Sequence, residues 1–351
     1  MKFKRILVFR FSAMGDVALT LPVLQSLKQN YPEIEITLVT RPKFSTIFEQ
    51  SGIEIFAADL DQYYSGLGGL QRLFKNLLRL KPDAIFDLHD NLRSRILGFM
   101  FRLLGVPVYV FQKGRQSKQQ ATGSDRLHHR DQLPHTTERY LKAFKRAGLE
   151  FKISSPPFIR FDETQKLILS ELNLDQHYGL RLIGVAPFAA HKTKIWPLEK
   201  FKSLFRDFES NDKVRFLLFG GGKIEIEQLK QIEQVHPNTK CVAGIFSLKE
   251  ELKLISCLEA MICVDSSNMH LASLCGVPVL SIWGGTHVLT GFGPVANSGN
   301  RIVEIGLDEL PCRPCSVYGK SICFRGDFAC MERITAKKTG EALKEMLLLK
   351  N

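Results

Sequence analysis

An acidic residue, Asp16, follows an apolar run near the start of the chain, where a strand pattern gives way to a helical one. The run Arg5–Phe11 is typical of a buried strand, and Gly15 comes directly before the carboxylate. Many α/β proteins use this strand-to-helix position to bind phosphate through glycines and a lysine. A carboxylate here indicates either a helix cap or a charge that faces a ligand, as a general base would.

Further polar clusters follow strand patterns in the second half of the chain. They combine lysines, glycine-rich turns, hydroxyls and acids, which are groups that bind phosphate oxygens and ribose hydroxyls. Solvated lysines and a structural histidine are the alternative interpretations of single members. Together they predict a nucleotide site with the candidate residues Lys194, Glu225, Asp265, Ser266, Ser267, His270, Gly284, Gly285 and Thr286.

Strand and helix patterns alternate along both halves, which predicts βαβ units and parallel sheets. The predicted strands are Arg5–Phe11, Glu35–Thr40, Ile53–Ala57, Ala84–Leu88, Val108–Phe111, Leu182–Ala186, Val214–Phe219, Lys240–Ala243, Met261–Val264 and Val277–Ile282. The fold class is therefore α/β, with two Rossmann-like doubly wound domains facing a central cleft. We expect domains at 1–160 and 175–335, then a C-terminal helix at 336–351 that packs back toward the first domain.

The chain carries a net charge of +12, which calls for an acidic partner such as nucleic acid, an anionic membrane or a phosphorylated small molecule. Its basic residues are spread over both halves and no nucleic-acid motif accompanies them, so nucleic acid is the least favoured partner. The basic stretch Gln112–Arg130 indicates either a solvated mobile loop or a strip that faces phosphates or lipid headgroups. No apolar run of membrane-spanning length occurs, which predicts a cytoplasmic protein.

All eight cysteines lie in the second half of the chain. Four of them stand in or near the stretch PCRPC and have spacing compatible with a structural zinc site, although free thiols or a disulfide are alternatives. These four are Cys312, Cys315, Cys323 and Cys330. A metal at this place would stabilise a loop and would not take part in a reaction.

The motifs SAMGD, KIWP, the Asp265–His270 cluster, the GGT loop and PCRPC, taken in this order, resemble glycosyltransferase family 9. Its best-known members are the lipopolysaccharide heptosyltransferases, and the resemblance spans nearly the whole chain. It implies a GT-B fold, an ADP-heptose donor, and an inverting reaction that needs no metal or cofactor and transfers onto the inner core of lipid A. One departure is Ser267, which stands where the family usually has glycine.

The resemblance also implies roles for individual residues. Asp16 would be the general base that takes the proton of the acceptor hydroxyl. Lys194, with the backbone amides around Ser266 and Gly284–Thr286, would stabilise the departing diphosphate in place of a metal. A base opposite the leaving group gives inversion, as it does in inverting glycosidases.

We expect the acceptor to bind on a basic surface of the first domain. Binding of phosphorylated sugars or membrane headgroups there would also explain the positive net charge of the chain. Arg93 and Lys113 are the main candidates for this surface, followed by Arg115 and Lys118. The expected partners are a nucleotide-sugar donor, a lipid A-linked sugar acceptor and the anionic inner-membrane surface, to which the enzyme would attach peripherally. A different nucleotide sugar, a nucleotide-sugar epimerase or hydrolase, and a binding protein without catalysis are the alternatives.

Overall fold

The structure is a computed structural model that describes residues 3–161, 170, 172, 179–211 and 213–348, with the backbone alone at 124 and 125. It forms two compact units, Met1–Gly114 with Pro134–Phe158, and Arg115–Leu133 with Ile159–Asn351. The sequence analysis placed all of 1–160 in one domain, so the segment 115–133 departs from that prediction. The predicted domain start at 175 and the chain end at 349–351 lie outside the described residues.

The first unit is built around a five-stranded parallel sheet in the order β3-β2-β1-β4-β5. The strands are β1 (Arg5–Phe9), β2 (Glu35–Thr40), β3 (Glu54–Ala57), β4 (Ala84–Asp87) and β5 (Val108–Val110). All five fall within the predicted strands, with β1 ending at Phe9. The strand order reverses between β1 and β4, and doubly wound sheets bind ligands outside the carboxyl ends of the strands at such a point.

Amphipathic helices cover this sheet. They are α1 (Met14–Ala18), α2 (Leu21–Asn30), α3 (Gly66–Leu78), α4 (Leu92–Leu103) and α6 (Thr136–Lys145), whereas α5 (Arg115–Thr122) belongs to the second unit. Asn91 begins α4 with a capping box in which it accepts a bond from the backbone N–H of Ser94. Leu97 and Phe101 of α4 are then buried with Leu73 of α3 in the core beneath the sheet.

The second unit contains a six-stranded parallel sheet in the order β11-β10-β9-β6-β7-β8. Its strands are β6 (Arg181–Ala186), β7 (Val214–Leu218), β8 (Thr239–Cys241), β9 (Ala260–Val264), β10 (Val279–Trp283) and β11 (Arg301–Glu304). The sequence analysis missed β11, a four-residue edge strand with few buried side chains to produce a pattern. The order reverses between β6 and β9, which makes their carboxyl ends the expected binding edge.

Besides α5, this unit contains further helices in the described part of the chain. They are α7 (Leu198–Arg206), α8 (Lys223–Val235), α9 (Leu248–Ser256), α10 (Ser267–Leu274), α11 (Ala329–Glu332) and α12 (Ala336–Leu348). Helix α12 packs on α7 and β11, and its Leu343 is fully buried in the core of the second unit. The predicted return of this helix toward the first domain stays a prediction. No helix in the described part of the chain is long and apolar enough to span a bilayer.

The segment 115–133, which we call the strap, is folded rather than a mobile basic loop. Its helix α5 is followed by a 3-10 turn at Ser124–Leu127. The Lys118 side chain is buried, with its ammonium 4.4 Å from the centre of the Phe292 ring and 5.5 Å from that of Tyr318. The N–H of Leu133 donates to the carbonyl of Leu289 (2.8 Å). Since Lys118 is buried in the second unit, the predicted place for it on a first-domain acceptor surface is wrong.

Candidate active site

Asp16 is the third residue of α1, at the carboxyl end of β1. The N-cap of that helix is Ala13, so the interpretation of Asp16 as a helix cap is wrong. Its carboxylate instead forms an ion pair, with Nη2 of Arg10 2.7 Å from Oδ2 of Asp16. The Asp16 side chain is 25% exposed, which leaves the carboxylate accessible to a ligand.

Arg10 is a nearly buried cation that the sequence analysis did not single out. Its Nη1 donates to the carbonyl of Leu88 (2.7 Å), and its guanidinium lies 5.7 Å from the centre of the Tyr140 ring and 6.0 Å from that of Phe111. The Tyr140 hydroxyl donates to the backbone carbonyl of Asp16 (3.3 Å). Contacts from several elements thus hold the guanidinium, and the charge-assisted pair orients the carboxylate.

His89, in the loop after β4, adds a neutral ring to this cluster. The N–H of Phe11 donates to Nδ1 of His89 (3.1 Å), so the neutral ring has its proton on Nε2. Burial, followed by the positive charges of Arg10 and Lys113, lowers the pKa of His89 to about 3. The charged groups at this edge of the sheet therefore include Asp16 and Arg10, whereas the imidazole is neutral near pH 7.

Replacing His89 with Gln is expected to remove about 2 kcal/mol of pH dependence from the free energy of unfolding between pH 7 and pH 5. The unfolded chain protonates His89 near its ordinary pKa of 6.5, whereas the folded chain does so only near 3. The wild type therefore loses stability as the pH falls through this window. Urea unfolding of both proteins at the two pH values measures the difference, and equal pH dependence would contradict the prediction.

The two predicted acceptor residues lie near the start of α4. The ammonium of Lys113 donates to the backbone carbonyl of Asp90 (2.5 Å) and lies 3.6 Å from its carboxylate, which also pairs with Arg95 at 2.6 Å. Arg93 lies in the first turn of α4, half-buried, and pairs with no acidic side chain among the residues that the structure describes. Lys113 is thus held by Asp90, and Arg93 is the less constrained cation.

In the second unit, the structure brings together three of the predicted donor residues. Lys194 ends a 3-10 turn after β6, Asp265 follows β9 and Thr286 follows β10. The ammonium of Lys194 lies 2.9 Å from Oδ2 of Asp265, and the hydroxyl of Thr286 donates to the same oxygen (2.8 Å). All three side chains are largely buried, and they meet because β6, β9 and β10 are neighbours in the sheet.

Next to this cluster, α10 presents its N-terminus. Ser266 is the N-cap and Ser267 the first helical residue, and the Ser266 side chain makes no capping hydrogen bond to the first backbone amides. The hydroxyl oxygen of Ser266 is buried, and the described part of the chain offers it no hydrogen-bond partner. His270 is buried in the first turn of the helix. Free amides and an unbonded hydroxyl beside a lysine are suited to bind a phosphate group.

Glu225 forms a hydrogen bond to the backbone of the glycine-rich loop that follows β7. Its Oε2 accepts a bond from the N–H of Gly221 (2.9 Å), and Gly222, at the N-cap of α8, has a φ of 83° that favours glycine. Because β7 is next to β6 in the sheet, this loop borders the Lys194 turn at the same edge. The predicted ribose contact through Glu225 stays a prediction.

The GGT loop after β10 is attached to the Lys194 turn through the backbone. The N–H of Gly285 donates to the carbonyl of Thr193 (2.8 Å), and the carbonyl of Gly285 accepts from the N–H of Cys315 (2.8 Å). A Cβ on Gly285 would lie only 2.8 Å from Cβ of Thr193. The close approach needs glycine at this position, and it holds Lys194 in register with Thr286.

A Gly285→Ala substitution is expected to cost about 1–3 kcal/mol of stability and to weaken nucleotide binding, since the methyl group pushes the loop away from Thr193. Thermal unfolding and calorimetric titration with ADP measure the two effects. Gly221→Ala is the matched control, because a Cβ there meets nothing within 4 Å. Equal losses in both variants would show that the Gly285 contact has no special part.

Arg313 lies between Cys312 and Cys315 of PCRPC. Its side chain holds the GGT loop by binding backbone carbonyls. Its fully buried guanidinium donates through Nε to the carbonyl of Gly284 (2.6 Å) and through Nη2 to that of Trp283 (3.1 Å), and it also bonds the carbonyl of Ile305. Nη2 pairs with Glu304 at 3.0 Å. The sequence analysis considered this motif for its cysteines and missed the arginine, although a basic residue between two prolines was a usable signal.

The cysteines of the tail are free thiols, as are the other four. Burial raises the pKa of the Cys330 thiol to about 11 and also raises that of Cys315. In the described part of the chain, no group of three or more His, Cys, Asp or Glu side chains is arranged to hold a metal ion. A zinc site at these positions, one of the alternatives in the sequence analysis, is therefore not supported by the geometry.

Comparison with known proteins identifies the family. A family model described as glycosyltransferase family 9 (heptosyltransferase) matches residues 70–322. The lipopolysaccharide core heptosyltransferase OpsX of Haemophilus influenzae is 23% identical over 293 residues, which cover 80% of this chain and 79% of the relative.

Solved structures show the fold. A glycosyl transferase of family 9 from Veillonella parvula superposes with a TM-score of 0.77 at 21% identity, covering 99% of both chains. The ADP-heptose lipopolysaccharide heptosyltransferase II of Escherichia coli superposes with a TM-score of 0.73 at 17% identity, again covering 99% of both. The GT-B fold predicted from the sequence, with two parallel-sheet α/β domains, is confirmed.

Proposed function

Because this chain belongs to glycosyltransferase family 9, we propose that it transfers heptose from ADP-heptose onto the inner core of lipopolysaccharide, on a lipid A-linked acceptor. The enzyme is a glycosyltransferase; the sugar, nucleotide and acceptor are the proposed part. The names of the relatives support it, since OpsX and the Escherichia coli enzyme are both heptosyltransferases of lipopolysaccharide.

The observation that supports this proposal best is the Lys194, Asp265 and Thr286 cluster beside the N-terminus of α10. We propose that the donor diphosphate lies against the free amides of that terminus and the Lys194 ammonium. As the bond to the sugar breaks, negative charge grows on the leaving phosphate, and a fixed ammonium with oriented amides stabilises it more than the ground state. The Asp265 carboxylate and the Thr286 hydroxyl hold the ammonium in place.

We propose Asp16 as the general base of the same reaction. The acceptor hydroxyl gives its proton to the Asp16 carboxylate while its oxygen bonds the anomeric carbon, and the ADP phosphate leaves with the electron pair of the broken bond. Attack from the side opposite the leaving group inverts the anomeric configuration. Arg10 keeps the carboxylate in one orientation, so the base need not reorganise during the reaction.

Nucleotide-dependent thermal shifts, followed by a transfer assay, test the proposal. We expect ADP, among ADP, UDP, GDP, dTDP and CDP, to raise the melting temperature, since a ligand at about 100 times its Kd stabilises the folded state by about 2.7 kcal/mol. ADP-heptose with heptose-deficient lipopolysaccharide should then yield heptosylated product. Stabilisation by another nucleotide alone would overturn the donor, and ADP release that is equally fast without acceptor would indicate a hydrolase.

A further inference from the structure

Helix α4 of the first unit has two apolar stripes. One stripe packs into the core beneath the first sheet through Leu97 and Phe101. The other consists of Leu92, Phe99 and Leu103, which we call the outer stripe. Its spacing of seven and four residues places the three side chains in one line along the helix, and this line lies opposite the buried one.

The outer stripe is open to solvent. Leu92 is 75% exposed, Phe99 59% and Leu103 71%, and Leu104 just beyond the helix is also exposed. Single exposed apolar residues are ordinary on protein surfaces, whereas large ones repeated along a helix face mark a surface that binds a partner. These residues are not needed for the hydrophobic core, because Leu97 and Phe101 on the opposite face of α4 already pack into it.

Basic residues flank the outer stripe, and the helix contains no acidic residue. Arg93, Arg95 and Arg102 lie on α4, and Lys113 approaches its start. Asp90, just before the helix, pairs with Arg95 and lies near Lys113, so it offsets part of this charge. The net charge of the helix and its surroundings is positive, and long arginine side chains can lie along an apolar face while their charged ends reach phosphates.

We propose that the outer stripe of α4 and its flanking arginines bind the surface of an anionic phospholipid bilayer. An amphipathic helix with large apolar residues on one face and cations beside them lies in the membrane interface, with its apolar side chains among the upper acyl chains. A second copy of the chain fits less well, because a symmetric contact between two such faces brings arginines against arginines. This binding to the bilayer does not depend on whether the proposed sugar transfer is correct.

Vesicle flotation of the full-length protein tests this surface. The wild type should float with vesicles of phosphatidylglycerol and phosphatidylethanolamine and stay unbound with phosphatidylcholine alone, and added salt should weaken the binding. Changing Phe99 and Leu103 together to Gln should lower the partition coefficient by about tenfold or more, since both side chains leave the acyl region. A Phe99→Trp variant should shift its emission to the blue on anionic vesicles, because Trp196 and Trp283 are fully buried.

The matched control changes Ile224 and Val235 of α8 together to Gln, since these apolar residues are 75% and 71% exposed in the second unit. This control should float as the wild type does. Equal flotation of the outer-stripe variant, or loss of binding in both variants, would overturn the proposal. A wild type that ignores vesicles but forms a dimer, with the outer-stripe variant monomeric, would assign the surface to a second copy instead. Flotation needs no donor or acceptor, so its outcome is independent of the transfer assay.

Discussion

An Asp16→Asn enzyme is expected to lose a factor of about 10²–10⁴ in kcat, the usual contribution of a general base, while it binds ADP as the wild type does. Asn has nearly the shape of Asp and can still accept a bond from Arg10, but it cannot take the acceptor proton. Nucleotide affinity should be unchanged, because the proposed donor residues lie in the second unit. Steady-state kinetics with ADP-heptose, together with calorimetric titration of ADP, separate the two effects.

Asp308→Asn is the control for this substitution, since Asp308 is an exposed carboxylate that pairs only at the surface, with Arg130. It should retain the wild-type rate. A near-normal kcat in the Asp16 variant would remove Asp16 from the role of base. A weaker affinity for ADP in that variant, with kcat preserved, would assign Asp16 to binding instead.

Replacing Lys194 with Met is expected to lower kcat by a factor of about 10²–10³, as the loss of one charge-stabilising group at a reacting centre commonly does. The ammonium is fixed by Asp265 beside the N-terminus of α10, where the proposed diphosphate binds. Met fills most of the same space against Gly319, whose position lies close to the lysine stem. Single-turnover rates at saturating donor measure the chemical step directly.

The neighbouring Lys192→Met is the control, because Lys192 is exposed in the same turn and makes no ion pair among the residues that the structure describes. We expect its rate to stay within about twofold of the wild type. A Lys194 variant that raises only KM would indicate that the ammonium binds substrate and transition state equally, which contradicts the leaving-group role. Thermal unfolding of each variant shows whether the unpaired Asp265 destabilises the fold.

Much of the fold follows from the sequence because buried parallel strands leave a strong apolar pattern. Ten of the strands fall at or near their predicted positions, whereas β11 does not, since it is a short edge strand with an exposed Ile302. The strand-end location of Asp16, Lys194 and Asp265 was also predictable. Parallel strands share one carboxyl edge, so residues that follow neighbouring strands meet there.

The features that the sequence did not predict depend on contacts between segments that are distant along the chain. Arg10 matters because Leu88, Phe111 and Tyr140 enclose it, and none of these is close to it along the chain. The pattern of the basic stretch 112–130 allows either a mobile loop or a strip that faces phosphates or lipid headgroups. It does not predict a buried Lys118, because that burial depends on two aromatic rings that lie far along the sequence. Charge and spacing alone do not show such partners.

Arg313 has a consequence for how this enzyme is made. The carbonyl groups of Trp283 and Gly284 reach their buried cation only after the ribosome has translated residue 313 and that residue has left the exit tunnel. Until then, the GGT loop of the nascent chain follows strand β10 but lacks the Arg313 guanidinium that binds its carbonyl groups. A prematurely stopped chain that ends just before Arg313 would therefore contain all six strands of the second sheet and still lack the cation that anchors the donor loop.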